Sequence, residues 1–487
     1  MNWRNSLLVA AAEMLIVGGL AAEARAQAAA GPNQFRGTID CERCHTKLTD
    51  QDRDTGVLDR VQLDEAATWR NKDRHSKAYA NLRSPLGQNI GKLLNADVLD
   101  AATGCIQCHA TSVDHSRWER ANVNFSDEGV GCEACHGPSS NWEELHRQFP
   151  DWSKTPAAEK SALGWIDVRS PTVRAELCVS CHIGSDDYHR EITHAMFAAG
   201  HPPLAGFEIE SFANKMPRHW RYPYEKTSKP SFDRTRDLLV ASVVALRMSA
   251  ELAIADVREQ RWPELARFDC FACHHELAEP QWPLVRDATG TPGRPELIVG
   301  CLPLVRVAAQ VVAGPSADKK LDVLIEKLQA PFQSATFGDP QVLANDGPTI
   351  IRGCNSLEGS LDATRFTPQL AMAVLHDVAR EATSEARDFD TARQLFGAWC
   401  VVYEELVANK SLRLSPQNQQ QLSRLLAGAE AHDRFVLERG RPGKSGTKEP
   451  EDQSVTGRLQ ELFDNRADFD PIKFANGMSK LDDLIRQ

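Results

Sequence analysis

The sequence predicts a mainly α protein in two parts: short helices and long loops with little sheet, followed by a helical C-terminal region. Three observations carry this. Five C-x-x-C-H runs crowd into residues 41 to 274, about one per 47 residues, which leaves no room for an ordinary apolar core among them. Residues 235 to 259 repeat apolar side chains at helical spacing. Beyond about Val285 the cysteine motifs stop and helix-start signals take over.

Taken in order, the chain opens MNWRNSLLVAAAEMLIVGGLAAEARA. Arg4 gives a basic start, Leu7 to Leu20 an apolar stretch, and Ala24-Arg25-Ala26 an A-x-A cleavage site. Residues 1–26 therefore read as a secretory signal, cut before Gln27, and Glu13 inside the apolar stretch argues against an uncleaved anchor. The expectation is a periplasmic or otherwise exported protein, soluble after cleavage. No later segment has the roughly 18 uninterrupted apolar residues of a membrane span.

The motifs are CERCH (Cys41, Cys44, His45), CIQCH (Cys105, Cys108, His109), CEACH (Cys132, Cys135, His136), CVSCH (Cys178, Cys181, His182) and CFACH (Cys270, Cys273, His274). Two thiols three positions apart on one helical turn can each form a thioether with a haem vinyl group. The histidine that follows is then placed under the iron as its proximal ligand. Zinc knuckles would not require a histidine at the next position every time. The reading is five covalently attached haem c groups in a domain spanning 27–285, with the porphyrins supplying most of the buried surface. Thioether attachment belongs to an oxidising compartment outside the cytoplasm, in keeping with the signal.

Asp64 to Leu82 is expected as a helix carrying Trp69 and His75. In Thr193 to Pro203, Gly200 and Pro202 suggest a turn that presents His201, with His194 nearby. Leu239, Val243, Leu246, Ala250 and Ile254 make 235–259 the clearest helix, capped by Asp233 or Thr235 and packed on the haem segment. A helical domain follows over 286–439, with helices at 318–329, 368–387, 391–409 and 416–429. Proline after Thr367 and after Ser415 marks two of these starts. A linker at 440–454 leads to a last helical segment, 455–487, with a helix at 455–465. Cys301, Cys354 and Cys400 fall outside the motifs and read as structural cysteines.

The formal net charge is −11, which excludes nucleic acid as a partner. Other redox proteins or quinol-linked donors are the expected partners, with a small inorganic substrate if an iron is open. No nucleophile elbow, phosphate loop or dinucleotide fingerprint occurs, and no catalytic side chain is assigned.

The motif order, GVGCEACHGP at 129–138 and His146 ten residues beyond His136 resemble the cytochrome c-554 family. They also resemble the wider group that holds hydroxylamine oxidoreductase and octahaem tetrathionate reductase. Trp69, His75 and Lys77-Ala78 match the first distal-histidine segment of that family, and the likeness covers about residues 38 to 185. It implies that His75 caps the haem on Cys132 and Cys135, and that His146 caps the haem on Cys41 and Cys44. It leaves the haem on Cys105 and Cys108 five-coordinate, although His115 competes for that iron. His194 and His201 are the candidates for the fourth and fifth haems, with His219 behind them. His189 and His275 are weaker candidates, and His376 and His432 read as ordinary helix residues.

Two functions follow. One is an electron carrier with bis-histidine haems. The other is an oxidoreductase acting on hydroxylamine, nitrite, nitric oxide or tetrathionate at one open haem, the one on Cys105 and Cys108. The sequence has no clear equivalent of the cross-linking tyrosine of hydroxylamine oxidoreductases, and no C-x-x-C-K motif of the nitrite reductase type. Electron transfer is therefore the favoured reading. A helical tail that docks the haem segment onto a partner is a third.

Overall fold

Serine, threonine or aspartate followed by proline starts helix after helix. Ser84 accepts from the Gly87 amide, Ser170 from Val173, Thr367 from Leu370, and Asp339 from Gln341 and Val342. In each case proline takes the first helical position, where its missing N–H costs nothing and its fixed φ suits the helix. The computed structural model describes residues 33–47, 61–111, 128–148, 151–202, 204, 207–221, 230–268, 270, 273, 295, 297, 300–313, 315–437 and 469–486. Among them there are no strands beyond two isolated bridges, Ser185 with Arg190 and Phe268 with Leu297.

The first part is a string of short helices. These are α1 (Thr38–Glu42), α2 (Glu65–Lys72), α3 (Ala78–Leu82), α4 (Pro85–Leu94), α5 (Cys105–His109), α6 (Cys132–His136), α7 (Glu143–His146), α8 (Asp151–Lys154) and α9 (Ala157–Ala162). The longer α10 (Pro171–His182) follows, then α11 (His194–Ala198) and α12 (Ile209–Lys215). Each of the first four motifs lies on a helical turn, and three of them (α5, α6 and α10) end on the motif histidine.

The helix expected over 64–82 is broken. Asp73 is extended (φ −83°, ψ 130°) and separates α2 from a 3-10 turn, Arg74–Lys77. Its side chain accepts from the His75 amide and so caps the new turn, competing with helix continuation as aspartate commonly does. The break re-aims His75.

The long helix α13 spans Asp233–Arg258, close to the expected limits, but its cap is not local. Neither Asp233 nor Thr235 caps it. Instead Glu405, from a helix far along the chain, accepts from the Arg234 amide (2.9 Å), the Thr235 amide (2.9 Å) and the Thr235 hydroxyl (2.7 Å). Six larger helices follow: α14 (Leu302–Ala313), α15 (Pro315–Gln329), α16 (Pro340–Ala363), α17 (Pro368–Ser384), α18 (Phe389–Ala408) and α19 (Pro416–Leu437). The last helix, α20, is Pro471–Arg486. The expected linker at 440–454, the helix at 455–465 and the signal at 1–26 lie outside the described residues.

Among the described residues α13 alone is long and apolar enough to cross a membrane, yet 83% of its apolar window is buried inside the molecule. It packs most extensively against α16 and α10. One hydrophobic core runs from Ala175 and Val179 on α10 through Leu238, Leu239 and Val243 on α13 to Leu304, Val374, Leu395 and Trp399. Cys301 and Cys354 are buried in it. The fourth motif is thus mounted on the same core as the C-terminal helices. A small second cluster, Tyr79, Leu82, Val98, Ile106 and Ala110, backs the second motif.

Candidate functional site

The motif histidines do not point into open space. His146 stands opposite His45, with ring centroids 6.4 Å apart and planes 14° from parallel. His75 stands opposite His182 at 6.3 Å, and His201 opposite His109 at 6.2 Å, both with planes at 90°. Two metal–imidazole bonds of about 2 Å in line, plus about 1 Å from each ring nitrogen to its centroid, also span about 6 Å. Stacked rings in direct contact come closer, as Phe207 on His182 does at 4.5 Å, whereas edge-on pairs such as Phe268 and Phe332 reach 6.0 Å. Three imidazole pairs therefore stand at the separation that an axial iron requires.

The outer nitrogens of five of these six rings are engaged. His45 Nδ1 donates to Glu65 Oε2 (2.9 Å) and His75 Nδ1 to Asp73 Oδ1 (2.9 Å). His109 Nδ1 donates to the Ala78 carbonyl (2.9 Å), His201 Nδ1 to the Pro202 carbonyl (2.8 Å), and His146 Nδ1 to the Glu143 carbonyl. A ring that donates through Nδ1 keeps its Nε2 lone pair for a metal. Burial holds His182 and His136 down at about 4, so both rings are neutral, the form that ligates. Burial opposes the charge of Glu65 and of Asp73, but hydrogen bonds from His45 and His75 outweigh it and hold both carboxyls below their ordinary range.

The motifs also abut one another. The Cys41 and Cys132 side chains are close neighbours, and so are those of Cys108 and Cys181. Cys135 is buried within electrostatic reach of Cys178 and Cys181. Arg190 ties the second motif to the fourth: its Nε donates to the Gln107 carbonyl (2.9 Å) and its Nη1 to Ser180 Oγ. The Glu133 carboxylate, inside the third motif, accepts from the amides of Arg36, Gly37 and Ser139 and so anchors the chain entering the first.

The residues fit haem on a further count. The buried Nδ1 of His136 and of His219 and the indole N–H groups of Trp142 and Trp165 have no partner among the described residues. Trp165 lies 5.5 Å from His136, and Trp142 5.4 Å from His146. Buried polar groups left open between two motifs suit a group with its own acceptors. Among the described residues no cluster of three or more His, Cys, Asp or Glu side chains is placed to hold a bare metal ion, as a zinc site would need.

Residues 40–137 match the family described as cytochrome c554 and c-prime. Over these residues the chain is similar to the cytochrome c-554-like multihaem cytochromes. The cytochrome family implies covalently bound haem c, and electron transfer or oxidoreductase chemistry. The c-554-like stretch holds the first three motifs; the fourth and fifth and all the C-terminal helices lie beyond it. No curated protein and no solved structure matches the chain.

The geometry corrects three expectations. His75, placed by the resemblance on the haem of Cys132 and Cys135, instead faces His182 of the Cys178 and Cys181 motif. The turn capped by Asp73 aims it there, and the Val130 amide holds the His75 carbonyl (2.9 Å). His201, a candidate for the fourth or fifth haem, faces His109. The site on Cys105 and Cys108, expected to be open, therefore has an imidazole opposite its proximal ligand. His194 lies on α11, which packs on the 3-10 turn Leu265–Arg267 just ahead of Cys270. Glu264 Oε1 joins the two, accepting from the His194 amide (2.7 Å) and the Ala266 amide (2.9 Å). His115, His274 and His275 lie outside the described residues.

The carboxylates Glu65 and Asp73 and the arginine Arg190 were missed by sequence reasoning. Asp73 stands two residues before His75, and that proximity was the available signal. Glu65 and Arg190 gave none, because the groups they hold at the site, His45, Ser180 and Gln107, lie 10 residues or more away.

Proposed function

We propose that the protein is an exported pentahaem c-type cytochrome that carries electrons between redox partners through bis-histidine sites. The observation that carries this reading is the set of three facing imidazole pairs at 6.2–6.4 Å, including the pair at Cys105 and Cys108. When bound, haem c supplies one-electron Fe(III)/Fe(II) exchange and bis-histidine ligation leaves no position for a substrate.

The chain's own residues supply the route. Thiol contacts set the attachment points side by side, first to third and second to fourth, and Cys135 links the third to the fourth. The order is first, third, fourth, second. His219 is assigned to the third site: its buried Nδ1 has no partner among the described residues, and it is an electrostatic neighbour of both His136 and Asp73. His194 is assigned to the fifth, on Cys270, Cys273 and His274, because Glu264 ties it to the approach to that motif. Residues 1–26 direct export, and the partners are other redox proteins or quinol-linked donors.

Spectroscopy of the oxidised holoprotein tests this. A pyridine haemochrome assay should give five haems per chain, and absorption should be low-spin and unmoved by nitrite, hydroxylamine or nitric oxide. A high-spin fraction that shifts with any of these would make the protein an oxidoreductase at an open iron.

A further inference from the structure

The three imidazole pairs differ in what their outer nitrogens bind. In the pair at Cys41 and Cys44, His45 donates to the Glu65 carboxylate. In the pair at Cys178 and Cys181, His75 donates to the Asp73 carboxylate, which is 5% exposed. In the pair at Cys105 and Cys108 both rings donate to neutral backbone carbonyls, of Ala78 and Pro202. An imidazole whose Nδ1–H is drawn toward an anion is the more basic ligand, and it stabilises the ferric over the ferrous ion.

We propose that Glu65 and Asp73 are potential-setting residues, which hold the first and fourth haems at lower reduction potential than the second. The inference rests on the bis-histidine reading above. It gives the fourth-to-second contact a direction: the carboxylate-backed site is the donor and the carbonyl-backed site the acceptor.

Among the described residues Arg190 bridges the second and fourth motifs through Gln107 and Ser180, so its positive charge acts on both. Glu65 is itself fixed by the Gln62 amide (2.6 Å), and Asp73 by the His75 amide (3.0 Å). Neither carboxylate depends on its histidine alone for its position.

The test is a potentiometric titration of the holoprotein followed by absorption and electron paramagnetic resonance. Asp73→Asn and Glu65→Gln each keep an oxygen that can accept from Nδ1–H but remove the charge. Asp73→Asn should raise most the midpoint of one haem with perpendicular ligand planes, with a smaller rise at the third site, whose His219 and Cys135 also lie in the field of Asp73. Glu65→Gln should raise a different one, the haem with near-parallel planes, whose rhombic signal separates it from the rest. Wild-type protein with high-spin haem overturns the ligand reading and this ranking together. Low-spin variants in which no midpoint moves overturn the ranking alone.

Discussion

At the scale of the residue, the decisive positions are those that aim a side chain rather than supply the chemistry. Gly129 is one. A Cβ there would meet the His75 carbonyl oxygen at 2.1 Å and the Ser76 carbonyl carbon at 2.9 Å. Both are backbone atoms and cannot swing aside, so the strap through Gly129 and Val130 lies directly on the turn that carries His75. Gly129→Ala should push that turn away and unseat His75 from the fourth haem. The expected outcome is a high-spin signal from about one haem in five, read by absorption and electron paramagnetic resonance, with haem content unchanged. The motif cysteines and histidines are legible in the sequence because each set falls within five consecutive residues. The pairing of distal histidines was not, because it depends on where the chain turns. His75 looked like a helix residue, and one aspartate, Asp73, broke that helix and sent the ring to His182.

At the scale of the element, α13 shows how a helix can be foreseen while its support is not. Its apolar spacing made it plain in the sequence, and its limits fell close to those expected. Its cap came from Glu405, 170 residues away, which no local pattern announces. The helix α16 was missed for a related reason: Pro348 and several glycines interrupt its sequence, and packing against α13 overrides their weak propensity. Glu405→Ala would leave two buried amides of α13, Arg234 and Thr235, without an acceptor, at about 1–3 kcal/mol each. The neighbouring Glu404 meets the Arg234 and Asn214 side chains and is half exposed. Glu404→Ala should therefore cost under about 1 kcal/mol, as exposed ion pairs do. Chemical denaturation of the two holoproteins checks the contrast; equal losses would show that Glu405 is not the cap.

At the scale of the molecule, the boundary expected near residue 285 does not divide the core. Ala175 and Val179, on the helix that ends in the fourth motif, share one buried cluster with Leu304, Val374, Leu395 and Trp399. The sequence suggested a split because motif density changes abruptly, yet side-chain burial follows α13, which faces both ways. Each fully buried leucine or valine contributes about 1.5–3 kcal/mol. Leu238, Leu239, Val243 and Val244 on α13 are all fully buried, so these few already reach the scale of a domain's whole stability, about 5–15 kcal/mol. A chain ended at residue 285 keeps all five motifs but strips the C-terminal helices from α10 and α13. It should not accumulate as a soluble five-haem module: the exposed faces should drive it into aggregates or proteolysis, and the fourth site should lose its haem first because its motif helix is the one unsupported. Haem staining and size-exclusion chromatography of the exported fragment test this. A monodisperse fragment with five haems would mean that the porphyrin-packed segment stands alone and that the C-terminal helices serve some purpose other than holding the fourth haem in place.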